Sequence, residues 1–171
     1  MRQILTPLFS LFGIILIVGC VGSGEAQPVP PTGEEILPAI TSVQTFFDAE
    51  GEPCDNDGKP VVFLFSTTWC GHCKWVGPTF DKVVYEYQTQ GKIHAYHYEL
   101  DTEDDALTAE VEAAVPQEHI DIYQRFNPRG SIPTFIFGCE YYRIGNGYEG
   151  KDNGLASEEA EFRYIIEELI Q

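Results

Sequence analysis

The chain has 171 residues, of which 27 are Asp or Glu and only 10 are Lys or Arg, for a formal charge of -17 at pH 7. Nucleic acid and anionic lipid both need clustered cations, so a surface this acidic argues against binding either by charge, and no nucleic-acid partner is expected. The length suits one domain around a single core.

Residues 1–19 place Arg2 ahead of an apolar stretch, Leu8 to Val18, that ends at Gly19. The stretch is too short to span a bilayer comfortably and has the layout of an export signal. Ile17-Val18-Gly19-Cys20 resembles the prokaryotic lipobox, in which the cysteine is lipidated and becomes the mature N-terminus. An uncleaved signal anchor and ordinary cleavage near Gly24 to Ala26 are the alternatives. Each reading carries the following domain out of the cytoplasm. Residues 20–35 are rich in Gly, Pro and small polar residues, with Pro28, Pro30 and Pro31 close together, as in an extended tether. The expected division is a signal over 1–19, a tether over 20–35 and a folded domain over 36–171. A lipid on Cys20 would hold the domain at the outer face of a prokaryotic cytoplasmic membrane, or in the periplasm.

Within the domain, Leu37 to Ile40 reads as a short strand. Thr41 with Gln44 has the spacing of a capping box, opening a helix through Val43, Phe46 and Phe47. Glu50 to Pro60 is a loop. Its Asp55-Asn56-Asp57-Gly58 run lacks the glutamate that closes a calcium loop and is read as turn chemistry, so no metal is expected. Val61 to Phe65 is a buried strand, followed by a helix through Phe80, Val83, Val84 and Tyr87 to a stop at Gly91. Ile93 to Leu100 alternates as a strand, with Ile93, Ala95, His97 and Glu99 on one side. His94 and His119 are expected at the surface. Thr102 to Val115 reads as an acidic inserted helix with Leu107, Val111 and Ala114 or Val115 on one face, and Ile120 to Phe126 as a second short helix. Thr134 to Phe137 and Tyr141 to Ile144 make a hairpin, and Ser157 to Ile170 closes the chain as an amphipathic helix.

Trp69-Cys70-Gly71-His72-Cys73-Lys74 follows the apolar strand at once. Where a strand hands over to a helix, free N–H groups and the dipole favour a thiolate, so the Cys70 pKa should fall below the free value of about 8.5. His72 can add positive charge or a hydrogen-bond donor, and Cys73, one turn on, can attack a mixed disulfide on Cys70. A zinc site would need two further ligands at suitable spacing, and none follow. Covalent haem attachment would need a histidine where Lys74 stands.

The run from Val61 through Phe80 resembles the active-site segment of the thioredoxin superfamily, and Cys-Gly-His-Cys is the version seen in protein disulfide isomerases. Pro78 falls where that family kinks the active-site helix, and Ser131-Ile132-Pro133-Thr134 matches the segment of its cis-proline. The likeness spans about residues 36 to 171. It implies an α/β thioredoxin-like fold, a central mixed sheet flanked by helices, here with the inserted helix before the cis-proline. It also implies redox catalysis by Cys70 and Cys73, with Trp69, Gly71, His72, Ile132 and Pro133 shaping the site and no cofactor beyond the Cys70–Cys73 disulfide.

The same sheet would bring Cys54 near Cys139 at the end away from the active site, so a structural disulfide is expected there, with two free thiols as the alternative. The family's buried acid, six residues before the first active cysteine, is absent: Leu64 stands there. His97, on the neighbouring strand, is a candidate proton relay in its place. The function implied is thiol-disulfide exchange on cysteine-containing extracytoplasmic proteins, as oxidase or isomerase, with a membrane redox partner for recycling. A membrane-tethered reductase, such as one serving cytochrome maturation, and a low-turnover binding module are the alternatives.

Overall fold

A computed structural model describes residues 37–171. The expected signal, tether and lipidated Cys20 lie outside the described residues. Among those described, no helix is long and apolar enough to cross a membrane.

The centre is β3 (Lys59–Ser66), parallel to β4 (His94–Glu99) on one side and antiparallel to β6 (Thr134–Phe137) on the other. A strand covered on both faces has no polar face to show, which is why Val61 to Phe65 is apolar without interruption. Val62 and Leu64 point into a core with α1 (Gly71–Thr89) and α3 (Gly154–Leu169). Val61, Phe63 and Phe65 point into a second core with Tyr123 of α2 (Gln117–Phe126). Beyond β6 lie β7 (Tyr141–Ile144) and β1 (Phe47–Asp48), and beyond β4 lies β5 (Asp104–Asp105). The two-residue β2 (Asp55–Asn56) folds back on the start of β3. This is a thioredoxin-like arrangement, a mixed sheet with helices on both faces.

The alternation expected for β4 holds: Ile93 and Ala95 join the first core, while Tyr96, Tyr98 and Leu100 pack on the second. The hairpin forms over the expected residues. Helix α1 is capped at its end by Gln90, and Gly91 at φ 69° supplies the left-handed turn that follows. Cys54 and Cys139 are joined in a disulfide across 85 residues, with Cα atoms 5.1 Å apart, beside the start of β3.

Four expectations need correction. Leu37 to Ile40 is not a strand and Thr41 to Phe47 is not a helix; the segment is irregular until β1. The buried carboxylate of Glu161 on α3 accepts from the backbone N–H of Gln44 at 2.6 Å, from that of Thr45 at 2.7 Å and from the Thr45 hydroxyl at 2.5 Å. Helix-type bonding would forfeit that long-range anchor. Arg143, 3% exposed, completes it: its guanidinium reaches Thr45 Oγ1 at 2.6 Å and Glu158 Oε2 at 2.5 Å and lies over the Phe46 and Phe135 rings.

Thr102 to Val115 is not the inserted helix either; it holds β5 and a run of turns and bends. Its short acidic side chains take the backbone groups a helix would use. Asp105 Oδ1 accepts from His97 N and Leu107 N, Asp104 Oδ1 from Glu112 N, and Glu112 Oε2 from Asp105 N. Val111, expected on an apolar face, is 85% exposed. The helix that does precede the cis-proline is α2, three residues longer at its start than the stretch from Ile120. His119 is not at the surface. It packs against Phe63 and Tyr96 and pairs with the Tyr98 hydroxyl at 2.9 Å, and burial lowers its pKa.

Candidate active site

The end of β3 aims the chain directly into α1, and Cys70 is the residue that caps that helix. Its backbone is extended (φ -74°, ψ 115°), its carbonyl accepts from Lys74 N at 3.1 Å, and its Sγ accepts from Cys73 N at 3.1 Å. A sulfur in this position occupies the place of an N-cap oxygen, where free N–H groups and the helix dipole favour negative charge. Cys70 and Cys73 form a disulfide with Cα atoms 5.2 Å apart, and both are nearly covered, at 5% and 4% exposure. Trp69 beside them is 71% exposed, and Gly71 and His72 are exposed as well. The approach loop is held by Asp101, whose carboxylate accepts from Thr68 N at 2.9 Å and from the Thr68 hydroxyl at 2.5 Å.

The Ile132–Pro133 bond is cis. The turn carrying it is fastened at Ser131 O, which accepts from Asn127 Nδ2 at 2.6 Å, Thr134 Oγ1 at 2.8 Å and the Tyr123 hydroxyl at 3.1 Å. Pro133 O accepts from Gly145 N at 2.8 Å, which ties the same turn to the end of β7.

His72 does not stand alone. Its Nδ1 is 2.7 Å from Glu149 Oε2, and Asn146 Nδ2 donates both to that oxygen at 2.8 Å and to His72 O at 3.0 Å. The Asn146 and His72 hydrogen bonds hold the Glu149 carboxyl below its ordinary pKa. The loop is in turn fixed from below by buried Glu158, whose Oε1 accepts from Gly147 N and Tyr148 N. Neither Asn146 nor Glu149 is foreshadowed by the motif, since the contact joins the start of α1 to a loop far along the chain.

On the covered side, Cys73 borders a cavity of about 240 Å³ together with Ser66, Thr67, Gly77, Asp81 and His97. His97 pairs with Leu64 in strand register, which sets it beside the position where an acid is missing. Its Nδ1 is 2.7 Å from Asp81 Oδ1, its Nε2 is 2.9 Å from Ser66 Oγ, and the ring is buried. Asp81 lies on the same helix as Cys73, two turns on, a helical spacing from which it could have been noticed. Cys54 and Cys139 stand apart from all of this, at the other end of an eight-residue strand. Among the described residues no group of three or more His, Cys, Asp or Glu side chains is arranged to hold a metal ion.

The family model described as Thioredoxin matches residues 42–124, a little under half of the chain. Protein disulfide isomerase-like 1-1 of Arabidopsis thaliana is 30% identical over 69 residues, which are 40% of this chain and 13% of that protein. Thioredoxin H9 of the same plant is 51% identical over 41 residues, 24% of this chain and 29% of that one. This chain thus spans only a minor part of the curated relatives it matches. A solved thioredoxin structure from Malassezia sympodialis aligns at 22% identity and a TM-score of 0.40, over 67% of this chain and 77% of that one. Sheet order, helix placement and the family match that runs through Cys70 and Cys73 together identify residues 37–171 as a domain of thioredoxin-like fold.

Proposed function

We propose that this chain is a thiol-disulfide oxidoreductase that exchanges disulfides with cysteine-containing proteins outside the cytoplasm, as an oxidase or isomerase. The observation that carries the reading is Cys70 as helix cap, its sulfur on the Cys73 N–H and bonded to the Cys73 sulfur. A closed pair of this kind opens when a substrate thiolate attacks Cys70, and Cys73 leaves as thiolate. A second substrate thiol then attacks the mixed disulfide at the substrate sulfur, releasing Cys70 and leaving the substrate oxidised by two electrons. Run backwards, the same steps reduce a substrate disulfide, with Cys73 resolving the mixed intermediate. Trp69 and the Ile132–Pro133 turn offer an exposed rim where an extended segment can lie, with backbone groups near Ile132 as pairing sites. A lipid on Cys20 as anchor and a membrane protein as recycling partner belong to the same proposal, on the strength of the N-terminal sequence.

His72 favours the thiolate and so a more oxidising disulfide. The carboxylate of Glu149 beside it works in the opposite sense, which is the specific observation behind a second reading, a tethered reductase. Turnover in scrambled-ribonuclease and insulin-reduction assays tests the proposal. Activity in the first that disappears with Cys70→Ala supports it, activity in the second alone selects the reductase, and activity in neither rejects both.

A further inference from the structure

Cys73 must lose a proton to become a nucleophile, yet it is only 4% exposed. The cavity beside it is therefore the place to look for the acceptor. That cavity has a buried, fully bonded histidine in its wall and a buried hydroxyl, Thr67 Oγ1, with no hydrogen-bond partner among the described residues. A cavity of about 240 Å³ has room for water, which needs polar partners and only a small fraction of that volume, and Ser66, Asp81 and His97 line it. Gly77 contributes to the opening: a Cβ there would come within 3.3 Å of His97 Cε1.

The hydrogen bonds also assign a direction. With Nδ1–H donated to Asp81, a neutral His97 presents Nε2 as acceptor to the Ser66 hydroxyl. Ser66 Oγ has a second acceptor within reach, Tyr98 O at 3.4 Å, so its proton has somewhere to turn once Nε2 is protonated. Asp81 is about one-third exposed and connects the buried ring to solvent.

We propose that Ser66, His97 and Asp81 form a proton path for Cys73, reached through water held in the cavity beside its sulfur. The proposal rests on the thiol-disulfide reading above. In the mixed disulfide, Cys73 S–H gives its proton to the cavity water, which passes one to Ser66 Oγ as the Ser66 hydroxyl proton moves to His97 Nε2. The Cys73 thiolate attacks Cys70 Sγ. The Cys70–Cys73 bond forms, the Cys70–substrate bond breaks and the substrate leaves as a thiolate, so two electrons have passed from the Cys pair to the substrate. The imidazolium, neutralised by Asp81, then releases its extra proton to solvent. Ser66, His97 and Asp81 act through Cys73 and are positioning residues.

The charges that face His97 come from every element around it. Asp81 and Lys74 lie on α1 and Glu99 on β4, while Asp105 on β5 accepts from the His97 N–H. Three of the four are acidic.

The test uses the reduced full chain mixed with oxidised glutathione, acid-quenched and alkylated, with Cys70 and Cys73 read by mass mapping from pH 5.5 to 9. Formation of the Cys70–glutathione mixed disulfide reports Cys70, and its decay reports attack by Cys73. Ser66→Ala and His97→Gln are expected to slow the decay by about tenfold or more at pH 7 and to move its pH midpoint upward, with formation unchanged. Asp81→Asn should shift the midpoint in the same direction by less. Decay rates and midpoints equal to wild type in Ser66→Ala and Asp81→Asn overturn the path, even if His97→Gln fails to fold. A wild-type chain that never forms or resolves the Cys70 mixed disulfide overturns the thiol-disulfide reading itself, a result visible before any variant is made.

Discussion

Glu149 Oε2 sits 2.7 Å from His72 Nδ1, so the one basic side chain between Cys70 and Cys73 is paired with a carboxylate from another part of the chain. A lone imidazolium would stabilise the Cys70 thiolate, whereas a cation with its counterion alongside stabilises it less. Glu149→Gln removes the opposing charge and keeps the side chain's shape. The variant should make the disulfide more oxidising, by about two- to fivefold in its equilibrium with glutathione, the range of an exposed pair. Raising the salt concentration should shrink the difference. An unchanged or more reducing couple in Glu149→Gln at low salt would show that the pair does not tune the site.

Among the described residues, Arg143 is the one cation among the buried carboxylates that anchor three segments, 44–45, 147–148 and α3. Replacing it with Met keeps bulk over the Phe46 and Phe135 rings but leaves Glu158 and Glu161 without their cationic partner. The expected loss is about 3–5 kcal/mol at pH 7, read by urea unfolding. A loss under about 1 kcal/mol, the scale of a surface pair, would mean the cluster is not the anchor described here.

The Cys54–Cys139 bridge closes a span of 85 residues at the end of the sheet away from Cys70 and Cys73. On the chain-entropy account its removal by Cys54→Ser with Cys139→Ser should lower stability by roughly 4–5 kcal/mol. The Cys70–Cys73 couple should keep its potential. Urea unfolding and glutathione equilibration of the double variant check the two halves separately. A shifted potential would mean that the two disulfides are linked.

In the turn-rich segment after β4, the Asp105 N–H and the Thr108 hydroxyl pull the Glu112 carboxyl down from its ordinary 4.5 to about 2. A depressed folded-state pKa contributes stability above the unfolded value and loses it as pH falls through the folded one, here between 4.5 and about 2. Hydrogen exchange corrected for its intrinsic pH dependence should therefore show the Asp105 amide losing protection across that window. Glu112→Gln should show much of that loss already at neutral pH. Equal protection in variant and wild type would remove Glu112 as the clasp of the segment.

Where residues answer to their neighbours in sequence, the fold was legible. The unbroken apolar run of β3, the alternation of β4 and the β6–β7 hairpin needed only periodicity and turn residues. Of the segments that misled, 41–47 and 102–115 carry helix-like spacings, but their backbone groups are taken by side chains. Glu161 supplies them from far along the chain in the first case, and Asp104, Asp105 and Glu112 supply them locally in the second. The site divides the same way. Cys70 and Cys73 are visible in their spacing, and His97 in its strand, whereas Ser66, Glu149 and Asn146 become part of the site only through tertiary contact. No local pattern marks a serine at a strand end as the partner of a histidine on the next strand.

The most direct test of the account is the reduction potential of the Cys70–Cys73 couple in the full chain, equilibrated with glutathione buffers and read by trapping free thiols at those two positions. Reversible opening with a midpoint between about -120 and -180 mV is the predicted result, the range of known disulfide oxidases and isomerases. A midpoint near about -270 mV would instead make the chain a reductase, and a disulfide that stays closed across the whole glutathione range would contradict thiol-disulfide exchange as its function.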